Sequence, residues 1–172
     1  MQSLKTLCLL LLVGISAALA APAEDTTTAQ PQCPPSSIET HLLSNGKKYY
    51  FHKKWVDHED AKRFCKRNNM RLPILDTREE LDVVHAKALN ISGVAWWVDA
   101  SDVGREPGQF RWGNGQELPL NSSLWFKEEN QPNSFGPGKK TCVVFSTFYA
   151  KHLWDEGCRG TNFAVCQAND GC

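Results

Sequence analysis

Residues 108–115 read Gly108-Gln109-Phe110-Arg111-Trp112-Gly113-Asn114-Gly115, and this stretch decides the fold. Phe110 and Trp112 make a short aromatic strand, and Gly113-Asn114-Gly115 supplies the turn that ends it. Runs of the same kind lie on both sides: VAWWV at 94–98, TCVVFS at 141–146, KHLW at 151–154 and NFAVC at 162–166. Segments rich in Gly, Pro, Asn and Ser separate them, as in a sheet of short antiparallel strands. Residues 101–137 are too long for a hairpin connection. A loop of that length inside a compact domain is usually functional.

Upstream of residue 94 the pattern changes. Lys47-Lys48-Tyr49-Tyr50-Phe51 predicts a first strand. Asp57 stands where it can cap a helix that carries Ala61, Phe64, Cys65 and Asn68 at helical spacing. Thr77-Arg78-Glu79-Glu80 predicts a capping box, in which Glu80 reaches back to the Thr77 N–H. Leu81, Val84, Ala88 and Leu89 follow as one apolar stripe, whose ordinary meaning is core packing. There is no internal repeat.

The chain of 172 residues is long enough for one domain with a real core. Residues 1–20 read as a signal peptide: Lys5, an apolar run, then Ala18-Leu19-Ala20 at the cleavage positions. The run is too short to span a bilayer. Residues 21–32 have the composition of a flexible leader, and the domain is expected over 33–172. A secreted, extracellular product follows, with no membrane-spanning segment. The 19 Lys and Arg balance the 19 Asp and Glu, which argues against electrostatic capture of nucleic acid or anionic membrane. Removing residues 1–20 takes Cys8 away and leaves six of the seven cysteines. An even number in an oxidising compartment reads as three disulfides, and the lack of any C-x-x-C pair disfavours zinc. Asn90-Ile91-Ser92 and Asn121-Ser122-Ser123 are glycosylation sequons of the same secretory route.

Taken in order, these motifs resemble those of the C-type lectin-like family. Cys65, Cys142, Cys158 and Cys166 match its four framework cysteines, Met70-Arg71-Leu72 its segment between the helices, and VAWWV its central strand. GQFRW with Gly113-Asn114-Gly115 resembles its G-x-F-x-W signature; Trp125, Gln131-Pro132-Asn133 and Leu153-Trp154-Asp155-Glu156 then follow in family order. The resemblance runs over residues 33–172. It implies an α+β C-type lectin-like fold: two helices, short antiparallel sheets and a long structured loop, stapled by disulfides. It also implies that Cys65 pairs with Cys166 and Cys142 with Cys158. The first bridge closes a loop of about a hundred residues, a constraint on the order of 4–5 kcal/mol in the chain-entropy picture. Cys33 and Cys172 are left over. Two pairings stay open for them, an internal Cys33–Cys172 bridge or a link to a second chain.

Sugar-binding members of this family hold a calcium ion that grips vicinal sugar hydroxyls. Ligands either side of a cis-proline serve both ion and sugar. The resemblance carries that role to Gln131, Asn133, Asp155 and Glu156. Gln131-Pro132-Asn133 mixes the triplets associated with mannose-type and galactose-type sugars, so it fixes no preference. Lys140 stands where the family has an acidic ligand. Two carboxylates opposed by one ammonium replace the usual three carboxylates, so calcium is expected to bind weakly or not at all. Lys140→Glu is expected to strengthen it where the geometry is intact. A second calcium site corresponds to Asp102 and Glu106, with Ser134 replacing a further Asp; two solvated loop carboxylates are an equal reading.

His41, His52, His58, His85 and His152 show no metal spacing and read as surface or edge residues. Gly136-Pro137-Gly138-Lys139-Lys140-Thr141 lacks the spacing of a phosphate loop, no G-x-S-x-G elbow occurs, and oxidised cysteines leave no thiol nucleophile. No enzyme is expected. Trp96, Trp97, Trp112 and Trp154 read as core, whereas Trp125 and Phe126 are expected to be exposed for contact. Two functions compete. One is a single-domain secreted lectin of the soluble invertebrate kind, binding glycans or glycoproteins in innate immune recognition of microbial or host sugars. The other is a calcium-independent lectin-like module with a protein partner.

Overall fold

The computed structural model describes residues 33–148 and 151–172. The expected signal peptide (1–20) and leader (21–32) lie outside the described residues. The chain runs β1 (His41–Leu42), β2 (Lys48–Val56), α1 (His58–Arg67), β3 (Met70–Arg71), α2 (Arg78–Leu89), β4 (Ala95–Ser101) and β5 (Arg111–Trp112). A 3-10 turn (Lys127–Glu129), β6 (Thr141–Ser146), β7 (Leu153–Gly157) and β8 (Asn162–Ala168) complete it. All eight strands join one sheet, in the order β1-β2-β8-β4-β6-β7, with β3 added to β8 and β5 to β4. The expected purely antiparallel pattern is corrected at one place. β4 and β8 pair in parallel, Trp96 opposite Phe163, because the long loop and β6–β7 intervene between them in sequence.

Neighbouring residues of a strand point to opposite faces, and the core follows that rule. Trp96, Val143, Phe145 and Val165 join a cluster with Leu81, Val84 and Ala88 of α2 and with Phe110, Trp112 and Trp125 of the loop. Trp97, Cys142, Val144, Ala164 and Cys166 join a second cluster with Ala61 and Cys65 of α1. The adjacent tryptophans thus anchor two faces at once. Each buried ring gives roughly 4–6 kcal/mol of gross transfer free energy. The Trp97 Nε1–H also finds a partner, donating to the Val56 carbonyl at 2.8 Å.

Local signals hold the helices. The Asp57 carboxylate accepts from the Asp60 N–H at 2.7 Å, capping α1. At α2 the Thr77 hydroxyl accepts from the Glu80 N–H at 3.2 Å. The reciprocal half of the capping box is absent: the Glu80 carboxylate pairs with Lys47 Nζ instead, because a full charge outcompetes one amide. Leu89 is exposed, since α2 ends there and turns its last side chain off the stripe. Three disulfides close the frame, Cys65–Cys166 between α1 and β8, Cys142–Cys158 beside β6, and Cys33–Cys172 between the chain ends. The two leftover cysteines therefore join each other.

The histidine expectation needs correction. His52, His58 and His85 are buried. His52 stacks on Phe64 with ring centroids 3.8 Å apart. His58 Nε2 lies 3.0 Å from the Val98 carbonyl and His85 Nε2 3.1 Å from that of Ser146. They serve as packed aromatic groups, and burial pushes all three imidazoles below their ordinary range.

Two predictions follow from this frame. Oxidised protein runs at the mass of one chain without reductant, and the double substitution Cys33→Ser/Cys172→Ser lowers unfolding free energy by about 2–4 kcal/mol in urea titrations. Below an unfolded histidine pKa of about 6.5, the unfolded chain takes up protons that the buried imidazoles refuse, so stability falls as pH falls. The urea midpoint drops between about pH 7.5 and about pH 5.5, and His58→Gln flattens that slope.

Candidate functional site

The long loop leaves the sheet after β4 and returns at β6. Asp102, at its root, is 1% exposed. One carboxylate oxygen accepts the Thr141 N–H at 2.8 Å and the other the Gly108 N–H at 3.2 Å. The group ties both ends of the loop together, which corrects its reading as a solvated carboxylate. Glu106 is exposed. Gly108 has φ +82 and a β-carbon there would sit 2.9 Å from the Phe135 ring, so only glycine fits. Trp125 is 1% exposed. Its ring packs edge-on against Phe110 at 5.1 Å and its N–H donates to the Pro119 carbonyl at 2.9 Å, so it is a core of the loop and not the contact residue expected. Phe126 is half-buried between His152 and Trp154.

Further along, the Gln131–Pro132 peptide is cis. The bend lays the next two backbone N–H groups on Asp155: Asn133 donates to it at 2.7 Å and Ser134 at 3.0 Å. The Asp155 N–H donates in return to Gln131 Oε1 at 3.2 Å, and the Ser134 hydroxyl donates to the Asp155 carbonyl at 2.9 Å. Asn133 is exposed, and its amide donates to the Glu129 carbonyl at 3.0 Å. Gln131, Asn133 and Asp155 are thereby brought together. Glu156 takes a different partner, the Asn162 amide on β8. Burial pushes both carboxyls above their ordinary range, opposed at Asp155 by the N–H groups of Ser134 and Asn133, and at Glu156 by Asn162.

Residues 54–168 match the family described as Lectin C-type domain. This chain belongs to the C-type lectin family. Among its relatives, Salivary C-type lectin 1 of Aedes albopictus is 31% identical over 117 residues, covering 63% of this chain and 68% of that protein. A lectin of Polyandrocarpa misakiensis is 28% identical over 114 residues, 65% of this chain and 87% of that protein. A solved C-type lectin from the same tunicate superposes with TM-score 0.64 at 24% identity, covering 72% of this chain and 98% of that one. The C-type carbohydrate-recognition domain of cow CD23, determined in the presence of GlcNAc2Man3 oligosaccharide, gives 0.60 at 27% identity, over 73% and 90% of the two chains. The family is one of binding domains and not of enzymes.

C-type lectin domains commonly bind calcium, an ion that needs six to eight converging oxygens. The residues of this lectin domain do not fit it. β7 alternates, so Asp155 faces the long loop and Glu156 the other side of the sheet. The Asp155 carboxylate is taken by two backbone N–H groups, Gln131 Oε1 by a third, and both Asp102 oxygens by the loop roots. Among the described residues, no three His, Cys, Asp or Glu side chains gather where a metal ion could be held. The four expected ligands therefore split, three on one face and Glu156 on the other.

The structure also exposes residues that the motifs did not mark. Trp55 is 59% and Phe148 68% exposed, and they flank a groove of about 310 Å3 into which Trp154, Glu156 and Asn162 also face. Trp55 lies within the irregular stretch of β2 between His52 and Val56, where strand alternation no longer tells which side chains are covered. Lys140 is exposed and borders a second cleft with Lys139 and Arg159.

Because Glu156 faces away, Lys140→Glu gives no measurable calcium uptake by calorimetry at about millimolar calcium, a concentration adequate for weak extracellular sites. Saturable binding in that variant would show that the ligands re-aim.

Proposed function

We propose that this chain is a secreted glycan-recognition protein whose long-loop face binds sugars without a calcium bridge. The observation that carries this reading is the loop segment 131–134 held on Asp155 by the Asn133 and Ser134 N–H groups, with the Asn133 side chain exposed beside it. The Asn133 carboxamide, one N–H of which is held by the Glu129 carbonyl, keeps a second N–H and its oxygen for the hydroxyls of a sugar. The metal-independent form of the reading is supported by the dispersal of the acidic ligands described above.

Export is supported by the signal-like residues 1–20. Asn90 and Asn121, the sequon asparagines, are both exposed, which supports glycosylation at both. A secreted glycan binder of this size suits innate recognition of microbial or host glycans. The competing reading, a protein partner, is favoured by the exposed Trp55 and Phe148, since aromatic residues are enriched in protein interfaces.

A glycan array probed in excess chelator and again in millimolar calcium separates these readings. Retention of the same glycans under both conditions is expected. Asp155→Ala leaves two backbone N–H groups of the loop unpaired, a cost of about 1–3 kcal/mol, and lowers that retention about tenfold. Binding that vanishes in chelator overturns the metal-free site, and an array empty under both conditions overturns the glycan reading.

A further inference from the structure

A cleft of about 820 Å3 opens between the N-terminal end of α1 and the loop 136–141. Three cations border it: Lys139, Lys140 and Arg159, all exposed. Among the described residues none of the three stands in an ion pair. The chain as a whole carries no net charge, so this cluster does not come from a generally basic surface.

The opposite wall carries two acids, Asp57 and Glu59, against these three cations. Asp57 is 2.7 Å from the Asp60 N–H that it caps, and Glu59 lies 3.8 Å from Arg63. A second observation is independent of charge. Thr141 lines the same cleft, is 1% exposed, and its hydroxyl has no hydrogen-bond partner. Native interiors rarely leave such a group unmatched. The unpaired cations call for an occupant that is anionic and rich in acceptors.

We propose that this cleft binds the sulfate groups of a sulfated glycan through Lys139, Lys140 and Arg159. The proposal rests on the glycan-recognition reading and names its ligand class. Arg159 offers a planar fork suited to two oxygens of one sulfate, and the lysines offer compact charges that follow a flexible chain. Lys140 occupies the position at which the resemblance implied an acidic metal ligand, so here the protein itself supplies positive charge where a calcium ion would have brought it. The volume falls in the range that accommodates a short saccharide.

The test uses the full mature protein in excess chelator. A heparin-derived octasaccharide is compared with its desulfated, N-acetylated counterpart by calorimetry at about 0.05 M and about 0.15 M salt. The sulfated chain is expected to bind at least tenfold more tightly, and to weaken as salt rises. The triple variant Lys139→Gln/Lys140→Gln/Arg159→Gln is expected to lose that preference while keeping the parent's melting midpoint. Glu59→Gln, which removes an opposing charge, is expected to tighten binding about twofold. Equal affinity for the two octasaccharides, or a triple variant that binds like the parent, overturns the proposal. So does a DNA duplex that displaces the octasaccharide at equal charge, because the cleft would then select charge and not glycan. Neutral glycans retained on the array without any sulfate preference overturn this assignment alone. An array empty of neutral and sulfated glycans alike overturns the glycan reading as well.

Discussion

Along β7, Leu153 and Asp155 turn toward the long loop while Trp154 and Glu156 turn to the other side, and much of the molecule depends on that two-residue alternation. The same rule sends Trp96 into one cluster and Trp97 into the other. It splits Val143 from Val144 and Val165 from Ala164 and Cys166. One sheet thereby makes two cores, one under α2 and the loop, one under α1. The Cys65–Cys166 bridge lies within the second.

In this strand the two consecutive carboxylates engage different partners, Asp155 the long loop and Glu156 the Asn162 amide. Asp155 and Glu156 are adjacent in sequence and opposite in space, each satisfied by the groups on its own side. Burial of charge here is compensated by hydrogen bonds, from backbone N–H groups at Asp155 and from the Asn162 amide at Glu156. Asp102 holds the two roots of the loop, and Asp155 holds the bent peptide. Both acids do mechanical work that fixes the loop's shape, which leaves few free oxygens for a cation. Beside that loop, Lys139, Lys140 and Arg159 outnumber Asp57 and Glu59 around one cleft, so the balance there is cationic where acidic ligands were expected.

Several side chains show how far local signals reach. The cap at Asp57 and the stripe Leu81, Val84, Ala88 depend only on near neighbours along the chain, and the structure contains them. Glu80 departs from its expected role because Lys47, 33 residues away, competes for it. Trp125 lies in a segment with the composition of an exposed loop, yet Phe110 and the Pro119 carbonyl draw it inward. His52, His58 and His85 have polar names but face aromatic and apolar neighbours contributed by other elements.

The sequence by itself determined the family, the two helices, the longer strands, the framework cysteines and the proline triplet, because each of these is written in short-range spacing or in residue types that admit few alternatives; the two-residue strands β1 and β3 carry no such pattern. Only the tertiary structure decided which oxygens are free, which aromatic rings meet solvent, and where unpaired cations collect. Those properties belong to pairs of residues far apart in the chain, and a hydrogen bond or a burial event exists only once both partners are in place.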